Sequence, residues 1–419
     1  MFYGKLKRTR SFDIRKEVDE MEKKGKEKES GFIERMGQMR WLDEYEALLR
    51  DMRHELHRHP ETAMNEIETS RYIAQQLSSI GIPYRMTGKT GVIADLTVRE
   101  ELPYAAVRAE IDGLAVPEKT GLPFSSEKPG YMHACGHDAN TAVLLCLAAV
   151  LAKHQEDLKC NVRFIFEPAE ETGEGARYMI ARGALENPKP SCILVFHFGN
   201  QETRAMEIQK SISTAAIGGL AIHVQGKASH FSQYKEGIDA MYGASRLVVA
   251  VREINDFFKT KYPFILGLGN LQAGVGRNTV AEQAVLEGSL RTFSEEDFES
   301  VYRELLKQAR KIEKESGTHI TVELTKKIPP IINDENLVRC GTEIGRGMFE
   351  DKFYLGEKPF LVGDNAAYYM EEVPGMRVVF LAGREGEEPY PVHHSKFDID
   401  ERVMMDAVKF LYSYLCSWI

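Results

Sequence analysis

Residues 132–152, MHACGHDANTAVLLCLAAVLA, open with histidine, cysteine, histidine and aspartate and continue as a long, mostly apolar helix-like run. A helix apolar on nearly every side belongs in the interior of a protein or in a membrane. The membrane reading fails: Asn140 and Thr141 interrupt the run, Lys153 and His154 end it, and a span needs roughly 20 apolar residues. The helix is therefore expected to be buried in a fold large enough to cover it.

The flanking sequence supplies such a fold. WLDEYEALLRDMRHEL and EIETSRYIAQQLSSIG place apolar residues three and four apart, as amphipathic helices do. GVIADLTV, YAAVRAEID, NVRFIFEPAEE and SCILVFHFGN read as strands, several of them apolar for most of their length. Strands of that kind alternating with helices indicate an α/β layer around a buried sheet. Between residues 213 and 327 the order changes to strand (GLAIHVQGK), helix, two strands (ILGLGNLQAG, AVLEGSLRTF), helix and strand (HITVELTKK). This β-α-β-β-α-β order predicts a small ferredoxin-like domain with its own core. The α/β pattern then resumes, with a helix from about 334, another around NAAYYMEEV, the strand RVVFLAG and a last helix from Asp400.

The expected architecture is thus a catalytic α/β sandwich domain, residues 41–212 and 328–419, interrupted by an inserted domain at 213–327. Residues 1–40, dense in Lys, Glu and Arg, read as a solvated charged extension. A chain of 419 residues is long enough to divide in this way.

A formal charge of -9 argues against a general nucleic-acid or anionic-membrane binder. The amino terminus, MFYGKLKRTRSFDIRK, is basic but has no apolar segment behind it, so no secretory signal is expected. Six scattered cysteines without a CxxC pair fit reduced thiols and a cytoplasmic location.

Four segments place metal-competent side chains where strands end or helices begin: Cys135 with His137, Glu170 with Glu171, His197, and His394 in PVHHSKFDID. In open α/β sheets, ligands gather outside the carboxyl ends of strands. Thiolate, imidazole and carboxylate together suit zinc or a similar divalent ion. A glutamate beside a ligating one is placed to move the proton of an attacking water. Singly, each residue also has a plain reading. Cys135 could be a small buried thiol, His197 a core histidine, the glutamates a solvated helix start, and His393 and His394 loop surface. Asp112 and Asp138 are candidates to hold the free ring N–H of a ligating histidine, although Asp138 is expected instead to cap the helix that follows it.

HACGHD, FEPAEETGEGARYMIARGAL, GKASH and GSLRTF occur in this order, joined by LHRHPE, RAEIDGLAV and HSKFDIDE. Together they resemble the aminoacylase-like metallo-amidohydrolases, the branch of the zinc carboxypeptidase and aminoacylase superfamily that includes N-acyl-amino-acid amidohydrolases and auxin-conjugate hydrolases. The similarity runs from about Trp41 to the carboxyl terminus. It implies two divalent metal ions, zinc by donor chemistry with manganese, nickel or cobalt as alternatives. Cys135 (bridging), His137, Glu171, His197 and His394 would hold them, with Glu170 as general base and acid. It further implies that the inserted domain acts as a lid and mediates a homodimer. His230 would reach a neighbouring subunit's site, and Asn278 and Arg291 would face the substrate's carboxylate, for which a planar guanidinium is suited.

The expected reaction is hydrolysis of a small N-acyl amino acid to a carboxylic acid and a free amino acid. A dipeptidase or carboxypeptidase using the same site is the main alternative; a silent metabolite-binding relative is a further one. Cys135 as a nucleophile with His137 as its base is disfavoured, since two residues on one loop seldom form that arrangement and no third member is evident. Three departures from the family pattern are expected to line the acyl or leaving-group pocket: Asn140 in place of histidine, GDNAAYY in place of a GSEDF-like run, and FGNQETR after His197.

Overall fold

The computed structural model describes residues 39–417, so the charged extension expected at 1–40 lies outside the described residues except for its last two positions. After a 3-10 helix (Met39–Tyr45), the chain forms α1 (Glu46–Arg58), α2 (Ile67–Ser79), β1 (Tyr84–Met86), β2 (Val92–Leu96), β3 (Tyr104–Glu110) and α3 (His137–Lys153). It continues through β4 (Asn161–Glu167), α4 (Gly175–Ile180), β5 (Cys192–Gly199) and β6 (Ala205–Gln209). Next come β7 (Ala216–Gln225), α5 (Ala240–Phe257), β8 (Ile265–Ala273), β9 (Gln283–Thr292), α6 (Glu295–Ser316) and β10 (His319–Ile328). The chain closes with α7 (Glu335–Phe349), β11 (Phe353–Gly356), α8 (Ala367–Glu372), β12 (Gly375–Leu381) and α9 (Arg402–Ser417).

Eight strands form one sheet in the order β1-β2-β4-β3-β5-β12-β6-β11. Its centre, β4-β3-β5-β12, is parallel, with Arg108 opposite Ile165 and His197 opposite Val379. Parallel strands need cover on both faces. Alternation along β4 provides it: Phe164 and Phe166 pack with Leu144 and Leu147 of α3, while Ile165 packs on the other side with Met179 and Tyr369. Every residue of α3 from His137 to Leu151 is buried. Each of its fully buried leucines contributes about 1.5–3 kcal/mol relative to exposure.

Strands β7 to β10 form a second, antiparallel sheet in the order β10-β7-β9-β8. Leu220, Ile222 and Val224 alternate inward from β7 to meet Leu247 of α5 and Leu305 of α6. This is the inserted β-α-β-β-α-β unit, and it has a core of its own. The two connections to it run side by side, Ser213 N–H donating to Ile331 O (2.8 Å), and Phe360 N–H of the main domain donates to Ser213 O (3.0 Å).

The structure also holds short strands the sequence reading lacked, β1, β6 and β11, and β6 runs antiparallel to β12. The helix expected over EGARYMIARGAL stops at Ile180, because Gly183 takes a left-handed conformation (φ 77°) soon after.

Candidate metal centre

The turn before α3 aims two ligands at once. Gly136 is the residue that precedes the helix, and its φ of 83° suits glycine. That turn leaves Cys135 on the loop and His137 on the first helical position. Strand β5 brings His197 alongside, with its Nε2 3.6 Å from Cys135 Sγ. The His137 ring places Nδ1 2.9 Å from Asp112 O and 3.1 Å from Asp112 Oδ1, and His197 Nδ1 lies 2.8 Å from Phe198 O. A carbonyl oxygen only accepts, so both rings carry their proton on Nδ1 and present an Nε2 lone pair. His137 Nε2 is buried and has no hydrogen-bond partner. An orphaned imidazole lone pair beside a thiol and a second imidazole is what a metal-ligating histidine looks like without its ion.

Three overlapping groups place their ligand atoms within 4.8 Å of one another: Cys135 with His137 and His197, Cys135 with Glu171 and His393, and His137 with Glu170 and Glu171. Glu170 and Glu171 arrive on the turn that follows β4. Asp112 Oδ2 accepts the Glu171 N–H (3.0 Å), so one aspartate holds both His137 and the glutamate turn. His393 Nε2 lies 3.2 Å from Glu171 Oε1.

Electrostatics separate the two glutamates. Burial and the nearby charge of Asp364 push Glu170 well above the usual carboxylate range. Burial also opposes the Glu171 charge, yet His393 and His137 hold that carboxyl down at about 2. Burial pushes the Cys135 thiol up to about 12, so a metal binding there displaces a proton. The donor set of thiol, imidazole and carboxylate fits a borderline divalent ion.

His394, expected as a ligand, is not in this cluster. Its ring is exposed, stacks on Tyr390 (centroids 4.7 Å apart) and accepts the Lys396 N–H at 3.1 Å. His393 takes the place instead. Its backbone is left-handed (φ 67°) and its N–H donates to Ala134 O (2.7 Å), which fastens this loop to the Cys135 turn.

Asp138 does not cap α3. It binds Arg53 Nε (3.1 Å) and His57 Nδ1 (2.8 Å) of α1, and Gly136 stands at the cap position. Asn140 and Asn365 are fully buried. Asn140 Nδ2 donates to Glu110 Oε2 (2.8 Å), and Asn365 Oδ1 accepts from Arg108 Nη2 (2.7 Å). Arg108 also grips Glu167 in bidentate fashion (3.0 and 2.9 Å), giving the cluster a rigid charged floor. Tyr368 and Tyr369 are likewise packed in the core.

The remaining expected residues lie elsewhere. His230 is exposed on the inserted unit with its Nδ1 2.8 Å from Ser232 Oγ, and Asn278 is its exposed neighbour, since His230 pairs with Thr279. Arg291 donates from Nη1 to Leu361 O (2.6 Å) and so spans from the inserted sheet to the second half of the main domain. None of their hydrogen bonds among the described residues reaches the Cys135 cluster.

A thiol, imidazole and carboxylate cluster at the carboxyl ends of parallel strands, in an α/β domain interrupted by a four-stranded unit, defines a metal-dependent hydrolase. The chain belongs to peptidase family M20/M25/M40, whose model matches residues 106–417, and it is a metal-dependent amide hydrolase of that family. It is 34% identical over 376 residues to an N-acetyl-L-cysteine deacetylase of Bacillus subtilis, covering 88% of each chain. A second B. subtilis protein, an N-acetylcysteine deacetylase, is 30% identical, over 86% of this chain and 94% of its own. Among solved structures, a B. subtilis protein described as a dinuclear metal-binding peptidase of the M20 family superposes with a TM-score of 0.77 at 29% identity, covering 89% of this chain and 98% of that one. No helix among the described residues is long and apolar enough to cross a membrane.

Proposed function

We propose that the protein hydrolyses the amide bond of a small N-acyl amino acid, releasing a carboxylic acid and a free amino acid. In this reading Cys135, His137, Glu171, His197 and His393 would hold two divalent ions. Three overlapping ligand groups that include the adjacent Glu170 and Glu171 carry the reading. The N-acyl substrate class is supported by the two N-acetylcysteine deacetylase relatives. Zinc suits the thiol-containing donor set, and manganese, nickel and cobalt remain alternatives.

Bound divalent ions supply Lewis acidity, which polarises a carbonyl and makes water a better nucleophile near neutral pH. Glu170 accepts a proton from the attacking water. It returns that proton to the departing nitrogen as the C–N bond breaks, so water and amide become acid and amine. Asp112 fixes the His137 tautomer and the glutamate turn throughout. His230 is proposed to act across a homodimer built on the inserted unit, and Asn278 and Arg291 to face the substrate's carboxylate. The six unpaired cysteines are consistent with a cytoplasmic location.

The test is a panel of N-acetyl and longer N-acyl amino acids beside matched dipeptides, run on protein reconstituted with Zn2+ or Mn2+. Two ions per chain and turnover of the N-acyl series are expected. Glu170→Gln should retain its metal while kcat falls about 10³-fold, the scale of a lost acid–base group. Preference for dipeptides would redirect the reading to a peptidase, and full activity in Glu170→Gln would overturn it.

A further inference from the structure

Glu66 lies on no catalytic motif, yet its carboxyl is completely buried beside the candidate site. It stands at the cap position of α2 but makes no capping hydrogen bond to that helix. Its side chain turns instead to a segment 103 residues away, where Oε1 accepts the Ala169 N–H at 2.8 Å. Ala169 immediately precedes Glu170 and is left-handed (φ 55°), an unfavourable conformation for a residue with a Cβ.

Ala169 is the pivot of the glutamate turn. Its carbonyl accepts from Thr172 Oγ1 (3.3 Å), Glu174 N (3.3 Å) and Gly175 N (3.1 Å). A Cβ on Gly175 would come within 1.9 Å of Pro168 O, so the turn is closed tightly on itself. With Asp112 holding the Glu171 N–H, carboxyl groups grip the backbone on both sides of Glu170.

We propose that Glu66 is a positioning residue: by holding the Ala169 amide it keeps the turn in its left-handed form and points Glu170 into the metal centre. The proposal rests on the reading of Glu170 as the proton-transfer group. Glu66 Oε2 is buried without a partner, and burial with the charge of Asp112 raises this carboxyl to about 7. Only Oε1 is used as an acceptor, and glutamine, which keeps that oxygen, is its closest mimic.

Three variants test it on the metal-loaded full chain. Glu66→Ala removes the acceptor. Glu66→Met fills the space without an oxygen and stands in if the alanine chain folds poorly. Glu66→Gln keeps the acceptor. In the first two, kcat should fall about 30- to 100-fold with KM within about threefold, the cost of misplacing a catalytic group by about 1 Å. Metal content should be unchanged, and amide hydrogen exchange over residues 166–176 should quicken. Glu66→Gln should match the wild type in every measurement. A purely structural role would lower thermal stability in all variants without this split between kcat and KM. Unchanged kcat or exchange in Glu66→Ala, or a Glu66→Gln as impaired as the alanine variant, would overturn the proposal. Were the wild type inactive on N-acyl amino acids, the proposed function would fall, while the exchange comparison would still decide whether Glu66 holds the turn.

Discussion

His393 and His394 show how a single backbone torsion decides which of two identical side chains can do chemistry. Adjacent residues point different ways, and nothing in PVHHSKF says which way the loop will turn. The left-handed His393 backbone, fastened to Ala134 O, settles it. His393→Ala should weaken metal binding at least about 100-fold, beyond the range seen for outer-shell losses, whereas His394→Ala should leave it intact. Metal content after dialysis against a weak chelator reads this directly, and equal loss in both variants would return His394 to the ligand set. Cys135, His137 and the two glutamates were legible because a glycine or proline turn marks where strand gives way to helix. Asp138 and Glu66 were not. Their partners lie 81 to 103 residues away in sequence, and local capping rules assign such acids to the nearest helix end.

At the scale of elements, long apolar runs betrayed α3 and the central strands because a buried layer needs them. Strands β6 and β11 escaped notice, being five and four residues long at the margin of the sheet and flanked by polar residues. What joins the elements was also invisible. Asp138 clasps α3 to α1 through His57, whose other ring nitrogen lies 3.3 Å from Glu118. Burial opposes a charge on His57, but Asp138 and Glu118 outweigh it and, against Arg53, hold the imidazolium up to about 9. A histidine whose folded value exceeds its unfolded 6.5 contributes stability fully present below about pH 6.5 and lost as pH rises through about 9. The titrating part amounts to about 3 kcal/mol at most. Relative to His57→Gln, the wild type should therefore show its largest advantage in unfolding free energy near pH 6 and a smaller one near pH 10. A pH-independent difference would mean that packing, not charge, makes the clasp.

Across the whole molecule, the described residues leave one edge and one apolar face of the inserted unit open. Among the described residues strand β8 is an unpaired sheet edge, and α5 exposes Met241, Tyr242, Val248, Val249 and Phe257. Such an edge is normally covered, and the proposed homodimer would cover it with a second copy of the chain, since an isologous contact pairs the same patch with itself. The proposed homodimer would also give His230 a role, because its hydrogen bonds among the described residues stay on the inserted unit. Complementation distinguishes action across the dimer from action within one chain. His230→Ala and Glu170→Gln homodimers should each be nearly inactive. After equal mixing with subunit exchange, half the dimers are hybrids. If His230 serves the partner's site, one of the two sites in each hybrid has both residues intact, and activity returns to roughly a quarter of wild type. If His230 acts within its own chain, every hybrid site lacks one residue and mixing restores nothing. Val249→Glu with Phe257→Glu should abolish both the dimer in sedimentation and the recovery on mixing, which ties the exposed face of α5 to the chemistry at Cys135.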